Sequence, residues 1–493
     1  MKNHILLSTT NHDYLYSCKH KEVIPIHPVL KRIIELREEE SDPLEKDEQL
    51  KKYPQELVNY YNKKYDYLKN NKVISEKDTV EYVQLAPEHI QKELENMQVI
   101  TFVVTDKCNL RCRYCAYGDM YGGYDARTDA NMGFDIARQV LDYLFNIWQK
   151  AQTMSSKRTV TIGFYGGEPL MNFRLIKQIV GYVSQHTFPH IEFTYNMTTN
   201  AMLLDKYQDF LQEHKFRLLI SLDGTEEDDC HRITATGENS FQYVFKKVKN
   251  LQNTYREYFE KYISFNSVIH SRSNVGRIID FFEREFGKAP MFSELSRENV
   301  INPDLFNKMF LNVQATIIKS GRQDFIDKKL MYVSPNITAL TAYLHRYTNE
   351  TFKDYRTMFY GTRKYSLIPT GTCIPFNRKF LITTNGKIMV CEHIDHKFAV
   401  GKVDQNGVHL DLGEIANKYN EQYYNRIVHL CNKCYAQGTC SQCIFQTDID
   451  KTPVRCKNFN TYSDFARHLA ANLTYLEQNR WAYKRVMEEI TLF

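Results

Sequence analysis

The spacing of apolar and polar positions divides this chain into segments of different kinds. His4–Ser8, Tyr14–Cys18 and Glu22–Ile26 are short strand-prone runs separated by turn-prone residues. Pro28 then opens a helix, Val29–Glu38, whose Leu30, Ile33, Ile34 and Leu36 form an apolar face. A charged loop runs from Glu38 to Lys52, a second helical period covers Glu56–Asn70, and Val73–Ile74 closes the segment. From residue 97 to 297 strand and helix alternate. The predicted strands are Val99–Thr105, Thr159–Phe164, Ile191–Thr199, Phe216–Ser221, Tyr262–Ile269 and Pro290–Glu294. The predicted helices between them are Phe134–Lys150, Phe173–His186, Met202–His214, Phe241–Tyr258 and Asn274–Phe286. Such alternation implies a parallel sheet with right-handed crossovers, and six units make a partial barrel with its chemistry at the C-terminal strand ends. Residues 298–370 read as helical, 371–460 as cysteine-rich with Gly and Asn turns and little helical period, and Ser463–Glu489 as a final helix.

Composition narrows the class. A chain of 493 residues has room for about three domains. With 43% hydrophobic and 25% charged residues it has ample core. A net charge of +5 is too small to argue for nucleic acid or a membrane surface as partner. No apolar run is long enough to span a bilayer, and the first residues lack a secretory pattern. The expected location is therefore the cytoplasm, where the 12 cysteines are ligands rather than disulfides. Ten of them fall within 108–115 and 373–456; Cys18 and Cys230 stand apart and are read as incidental.

Cys108, Cys112 and Cys115 follow the first barrel strand at x3 and x2 spacing. Three thiolates can hold three irons of a cubic cluster and leave the fourth iron open, whereas four would close it. A structural zinc site would need a fourth ligand, and none is near in sequence. Gly166-Gly167-Glu168-Pro169 follows the second barrel strand. Its glycines permit close backbone approach, and its carboxylate can take an ammonium group. Thr198-Thr199-Asn200 and Ser221-Leu222-Asp223-Gly224 end the third and fourth.

These motifs resemble those of the radical S-adenosylmethionine (radical SAM) enzymes. The resemblance implies an iron–sulfur cluster on Cys108, Cys112 and Cys115, with Tyr114 near the adenine. It places Gly166, Gly167, Glu168 and Pro169 at the methionine amino group, Asn200, Ser221 and Asp223 at further polar contacts, and Arg232 at the cofactor carboxylate. Where many relatives have a His three residues before that arginine, this chain has Asp229.

The C-terminal cysteines, Cys373, Gly386, Cys391 and then Cys431, Cys434, Cys440, Cys443 and Cys456, resemble the SPASM extension that carries two auxiliary clusters. The usual x3 between its fifth and sixth cysteines is x2 here. By that resemblance Cys431, Cys434, Cys440 and Cys456 close one cluster. Cys373, Cys391 and Cys443 hold the other, its fourth iron open or met by Glu392, His393, water or substrate. Sulfatase maturases of this kind typically carry an aspartate base directly after the cysteine of the Gly-x4-Cys run, where this chain has Glu392.

The expected fold is thus α/β. A winged-helix-like unit at 1–95 resembles leader-peptide recognition elements, and a partial (β/α)6 radical SAM barrel follows at 96–297. A helical connector at 298–370, a SPASM domain at 371–460 and a C-terminal helix at 461–493 complete the chain. The expected function is radical modification of a ribosomally synthesised precursor peptide. It would use S-adenosyl-L-methionine, three 4Fe-4S clusters and a donor such as flavodoxin or ferredoxin. The alternatives are an anaerobic sulfatase-maturing enzyme and a zinc-stabilised binding protein.

Overall fold

The computed structural model describes all residues except 40–43, 77–80, 126–127, 152–156, 349–367, 438 and 490–493. The chain folds into two compact units, each assembled from separated stretches.

The first unit comprises Met1–Gln84, Ser334–Thr372 and Tyr423–Phe493. Strands β1 (His4–Ser8), β2 (Asp13–Ser17) and β3 (Glu22–Ile26) form an antiparallel sheet in that order. The helix Pro28–Glu38 starts with proline in its first turn, and the His27 ring accepts a hydrogen bond from the Val29 N–H at 3.2 Å. Val29, Leu30, Ile33, Ile34 and Leu36 bury against Leu15 and, from the helix Gln55–Asn70, Val58 and Tyr65. The expected apolar face is the one used. The chain's final helical region is two helices, Tyr462–Gln478 and Arg480–Glu489, broken at Asn479, where an expected single helix leaves helical dihedrals. The first packs on β1: the Tyr462 hydroxyl accepts from the Leu6 N–H at 2.7 Å, and Glu477 accepts from Thr9 and Tyr14 at 2.7 Å each.

The second unit comprises Leu85–Val333 and Cys373–Gln422. A helix not expected from the sequence, Pro87–Glu95, leads into β4 (Val99–Thr105). Strands β4, β5 (Arg158–Gly166), β6 (Ile191–Thr199), β7 (Arg217–Ser221), β8 (Ile263–Ile269) and β9 (Met291–Glu294) are parallel neighbours in sequence order, as a partial barrel requires. The crossover expected as one helix at Phe241–Tyr258 breaks at Tyr255 into Phe241–Thr254 and Arg256–Tyr262.

The cysteine-rich stretch adds strands that its composition did not suggest. β10 (Phe380–Ile382) pairs parallel with the free side of β4, and β11 (Lys387–Met389), β12 (Gly401–Asp404) and β13 (Gly407–His409) continue antiparallel. The result is one ten-stranded sheet. Strands of three or four residues are too short to show a period of two. In the expected connector, helices Pro303–Met309, Val313–Lys319, Gln323–Lys329 and Pro335–Tyr347 are present. Residues 349–367 of it lie outside the described residues. Among the described residues no helix is long and apolar enough to cross a membrane.

Candidate functional site

The cysteine loop starts where β4 ends and is held from two sides. The N–H groups of Arg111 and Arg113 donate to the carbonyls of Ile233 at 2.6 Å and His231 at 3.0 Å, tying the loop to the segment after β7. On the other side the N–H groups of Gly167 and Glu168 donate to the carbonyls of Thr105 at 2.9 Å and Lys107 at 2.8 Å. A Cβ on Gly166 would lie 2.2 Å from the Thr105 oxygen, and one on Gly167 would lie 2.1 Å from the Lys107 oxygen. The close approach these glycines make is therefore to the backbone that launches the cysteines.

Cys108, Cys112 and Cys115 are all half-buried. The Cys108 sulfur accepts from the Leu110 N–H at 3.4 Å and from the Asn200 amide at 3.7 Å. Burial pushes the Cys112 thiol up to about 12; the Arg232 charge opposes this, while Cys115, Asp223 and Cys108 add to it. A buried thiol that resists ionisation, with two further sulfurs beside it, fits an iron cluster, whose core would take the place of its proton.

Glu168 is fully buried at the foot of the next turn. Its carboxylate accepts from the Leu170 N–H at 3.1 Å, the Thr199 hydroxyl at 2.8 Å and the Asn200 N–H at 2.7 Å. Burial holds its carboxyl above the ordinary range, and those three donors with Arg232 oppose the shift. A carboxylate offers about four lone-pair directions, so about one remains for an ammonium group. Pro169 is buried and opens the short helix Pro169–Asn172. The Asn200 side chain donates to Asn109 at 2.8 Å, so it spans the β6 end and the cysteine loop.

The β7 end builds a buried charged network. The Tyr114 hydroxyl donates to Asp223 and accepts from Arg232 at 3.1 Å. Asp223 also accepts from the Val268 N–H at 3.0 Å. Asp229 accepts from the Asp223 N–H at 3.0 Å and lies 3.8 Å from the Arg232 guanidinium. Burial drives the carboxyl groups of Asp223 and Asp229 upward against the pull of Arg232. Two acids share one cation, so the pair retains a proton at higher pH than ordinary carboxyls do. Nε of Arg232 is buried without a hydrogen-bond partner. Its nearest carboxylate, Asp229, lies 3.8 Å away, beyond hydrogen-bond distance, so that N–H can still meet a carboxylate ligand. Ser221, the last residue of β7, is half-buried. Asp229 was noted in the sequence only as a departure, and its place beside Arg232 appears only in three dimensions.

Glu392 follows Cys391 after the β10–β11 hairpin, whose Gly386 turns at φ +80° with Val403 O only 2.2 Å from where a Cβ would stand. Its side chain pairs with Lys379. Burial would raise its carboxyl, but the Lys379 ammonium wins and holds it below the ordinary range. Lys379, 13 residues away, carried no sequence signal. His393 is mostly exposed, with Nε2 3.9 Å from Glu392.

In the first unit Cys431, Cys434, Cys440 and Cys456 come together: burial and mutual charge raise the thiols of Cys431, Cys440 and Cys456. The Cys434 sulfur accepts from the Asn460 N–H at 3.3 Å and the Cys440 sulfur from the Gln442 N–H at 3.4 Å. N–H groups aimed at sulfur are what a closed cluster uses to set its potential. Cys443 belongs to this unit, whereas Cys373 and Cys391 belong to the other.

Comparison with known proteins gives these residues a context. Residues 102–283 match the Radical SAM superfamily. A cysteine-type anaerobic sulfatase-maturating enzyme of Clostridium novyi (strain NT) is 22% identical over 328 residues, 63% of this chain and 78% of that protein. The radical SAM cyclopropyl synthase TigE of Paramaledivibacter caminithermalis is 25% identical over 226 residues, 44% of each chain. Among solved structures, native anSMEcpe with bound AdoMet superposes with a TM-score of 0.50 at 16% identity, covering 80% of this chain and all of that one, a likeness of fold.

Proposed function

We propose, from the premise that this chain is a radical SAM enzyme binding S-adenosylmethionine and a 4Fe-4S cluster, that it is a maturase of ribosomally made precursor peptides. When bound, S-adenosylmethionine and a reduced cluster would supply a 5′-deoxyadenosyl radical able to remove a hydrogen from an unreactive C–H bond of the peptide. The observation that carries the reading is the joint anchoring of the cysteine loop. It is hydrogen-bonded to the Gly166–Glu168 turn on one side and to the Arg232 segment on the other.

In this reading Cys108, Cys112 and Cys115 hold the first cluster. Glu168 takes the amino group of the cofactor through its remaining lone pair, and Arg232 takes the carboxylate through Nε, whose ion pair with Asp229 is 3.8 Å long. Asn200 orients Cys108, and Tyr114 and Asp223 hold Arg232 in place from beneath. Ser221 serves as a polar contact at the strand end, and Pro169 fixes the turn. By the SPASM resemblance Cys431, Cys434, Cys440 and Cys456 would hold one auxiliary cluster, and Cys373, Cys391 and Cys443 would be ligands of a second. The donor would be a flavodoxin or ferredoxin and the location the cytoplasm.

Residues 1–84 supply the peptide grip. Helix Tyr462–Gln478 covers β1, so β3 is the edge to which a leader strand would add. A second reading, oxidation of a sulfatase cysteine to an aldehyde, draws support from the maturase relatives. As base for that step Glu392 is weakened by its pairing with Lys379.

The test is anaerobic incubation with S-adenosylmethionine, dithionite and either a leader-bearing precursor peptide encoded beside this gene or a cysteine-containing sulfatase peptide, read by mass spectrometry. Loss of hydrogen from the precursor peptide supports the first reading. Aldehyde formation on the sulfatase peptide alone transfers the case to the second. Failure to form 5′-deoxyadenosine with either peptide sinks both.

A further inference from the structure

The segment after β7 and the end of β8 bring together three side chains with no part in the cofactor site described above. The sulfur of Cys230 and one ring nitrogen each of His231 and His270 all lie within 4.8 Å of one another. We propose that Cys230, His231 and His270 bind one divalent transition-metal ion, zinc(II) by their donor set, with a fourth position left to water.

Three observations support the site independently. First, His231 is only 8% exposed and its Nδ1 is buried without a hydrogen-bond partner. A buried polar nitrogen in that state costs stability unless something satisfies it. Second, His270 is fully buried and its Nε2 lies 2.8 Å from the carbonyl oxygen of Asp228. A carbonyl only accepts, so the ring carries its proton on Nε2 and turns a lone pair outward at Nδ1. Metal-binding histidines are oriented in this way, through a backbone acceptor on the other nitrogen. The Nδ1 lone pair now receives only a long bond, 3.3 Å, from the Arg272 N–H. Third, the two rings stand edge to face, 4.5 Å apart at 73°, so their nitrogens can converge without stacking.

Protonation favours the site as well. Burial, with the neighbouring Arg113 and Arg272 charges adding to it, holds His231 down at about 4, so the ring is neutral at neutral pH. Burial raises the Cys230 thiol while Arg272 opposes it. A metal would take that proton's place. One sulfur and two nitrogens suit tetrahedral zinc with an open position better than a cubic iron cluster, which prefers thiolates. No spacing pattern announces the site, because Cys230 stands apart from the other cysteines and His270 is 39 residues beyond His231.

The ion would clamp the β7 segment to β8. Arg232 is the next residue after His231, and the His231 carbonyl accepts from the Arg113 N–H of the cysteine loop. The three side chains are thus positioning residues for Arg232, and the assignment does not depend on which substrate the enzyme modifies.

The experiment uses holoenzyme with its iron clusters reconstituted, equilibrated anaerobically with zinc chloride and desalted. Metal is counted by mass spectrometry and its shell read by zinc K-edge absorption. Wild type is expected to keep one zinc per chain, with one sulfur neighbour at about 2.3 Å and nitrogen neighbours at about 2.0 Å. Cys230→Ser, which exchanges a single atom, and His231→Ala should bind zinc about 100-fold more weakly. Iron per chain should be the same in all three, which separates loss of this site from loss of fold. Equal zinc retention in wild type and Cys230→Ser, a sulfur-only shell, or no zinc retained by wild type would each overturn the proposal.

Discussion

Glu168 is a carboxylate with three of its acceptor positions filled by Leu170, Thr199 and Asn200 and no exposure to water. An ammonium group arriving at the remaining position meets a fixed charge and loses little to reorganisation. Glu168→Gln is expected to weaken S-adenosylmethionine binding by about 1.4–2.8 kcal/mol, ten- to a hundredfold, measured by calorimetry on the cluster-loaded enzyme. The pH dependence has a definite sign. Only the ionised carboxylate attracts the ammonium, and burial raises the pKa of Glu168 in the free protein. Affinity should therefore be full above that raised pKa and fall as pH drops through it, at a higher pH than an unperturbed glutamate would give. At a pH near that raised pKa, binding should release a proton to the buffer, visible as a buffer-dependent heat. A heat independent of the buffer throughout the pH range where affinity falls would count against a raised Glu168. Nearby, Tyr114→Phe removes the hydroxyl that both donates to Asp223 and accepts from Arg232. The expected cost is about 1–3 kcal/mol of stability, seen in thermal melting, because two buried groups lose a partner together.

At the level of elements, the site is a set of strand ends, and their backbones hold one another. Gly167 is the tightest joint: its missing Cβ leaves room for the Lys107 oxygen, 2.1 Å from where it would be. Gly167→Ala must push Lys107 away and with it the start of the cysteine loop. The variant should lose roughly a third of the iron expected for three cubic clusters, with the auxiliary share retained, as measured by iron analysis. Full iron content would mean that the loop absorbs the displacement. Much of this arrangement was legible in the chain. The β4–β9 alternation and the motifs at the strand ends could be read because each is local, a period or a run of neighbouring residues. The unread parts depend on distant partners. Strands β10–β13 are too short to display a period, and they are strands because β4 offers β10 a free side. The Lys379–Glu392 pair and the meeting of His231 with His270 join residues that no spacing rule connects. The role of Gly166 and Gly167 was read only in part: their need for space was evident, but the occupant of that space is backbone.

Across the whole molecule, chain order and compact units do not coincide. The first unit takes its N-terminal sheet from Met1–Gln84 and its four-cysteine site from Tyr423–Phe493. These stretches hold each other together. The Tyr435 hydroxyl accepts from the Lys2 N–H at 3.0 Å, Gln437 donates to the Tyr82 hydroxyl at 3.2 Å, and Tyr462 accepts from Leu6 at 2.7 Å. Tyr435 and Gln437 closely follow Cys434, and Asn460, whose N–H meets the Cys434 sulfur, precedes the Tyr462 helix by two residues. Removing residues 1–84 therefore strips one side from the packing around those cysteines. On the proposed assignment, the truncated chain is expected to lose the iron held by the four C-terminal cysteines, about four atoms of twelve, as well as any grip on a leader peptide. Truncation alone cannot isolate recognition for that reason, and a variant on the open edge can. Pro25 has no N–H to give, so it is tolerated in β3 where its nitrogen faces away from β2, and Val23, two residues back, shares that orientation. Val23→Pro should leave the β2 pairing and all iron in place while removing the N–H that a leader strand would meet. Leader-peptide binding by fluorescence anisotropy should weaken about tenfold or more. Unchanged binding with iron intact would mean that the peptide is held somewhere other than β3.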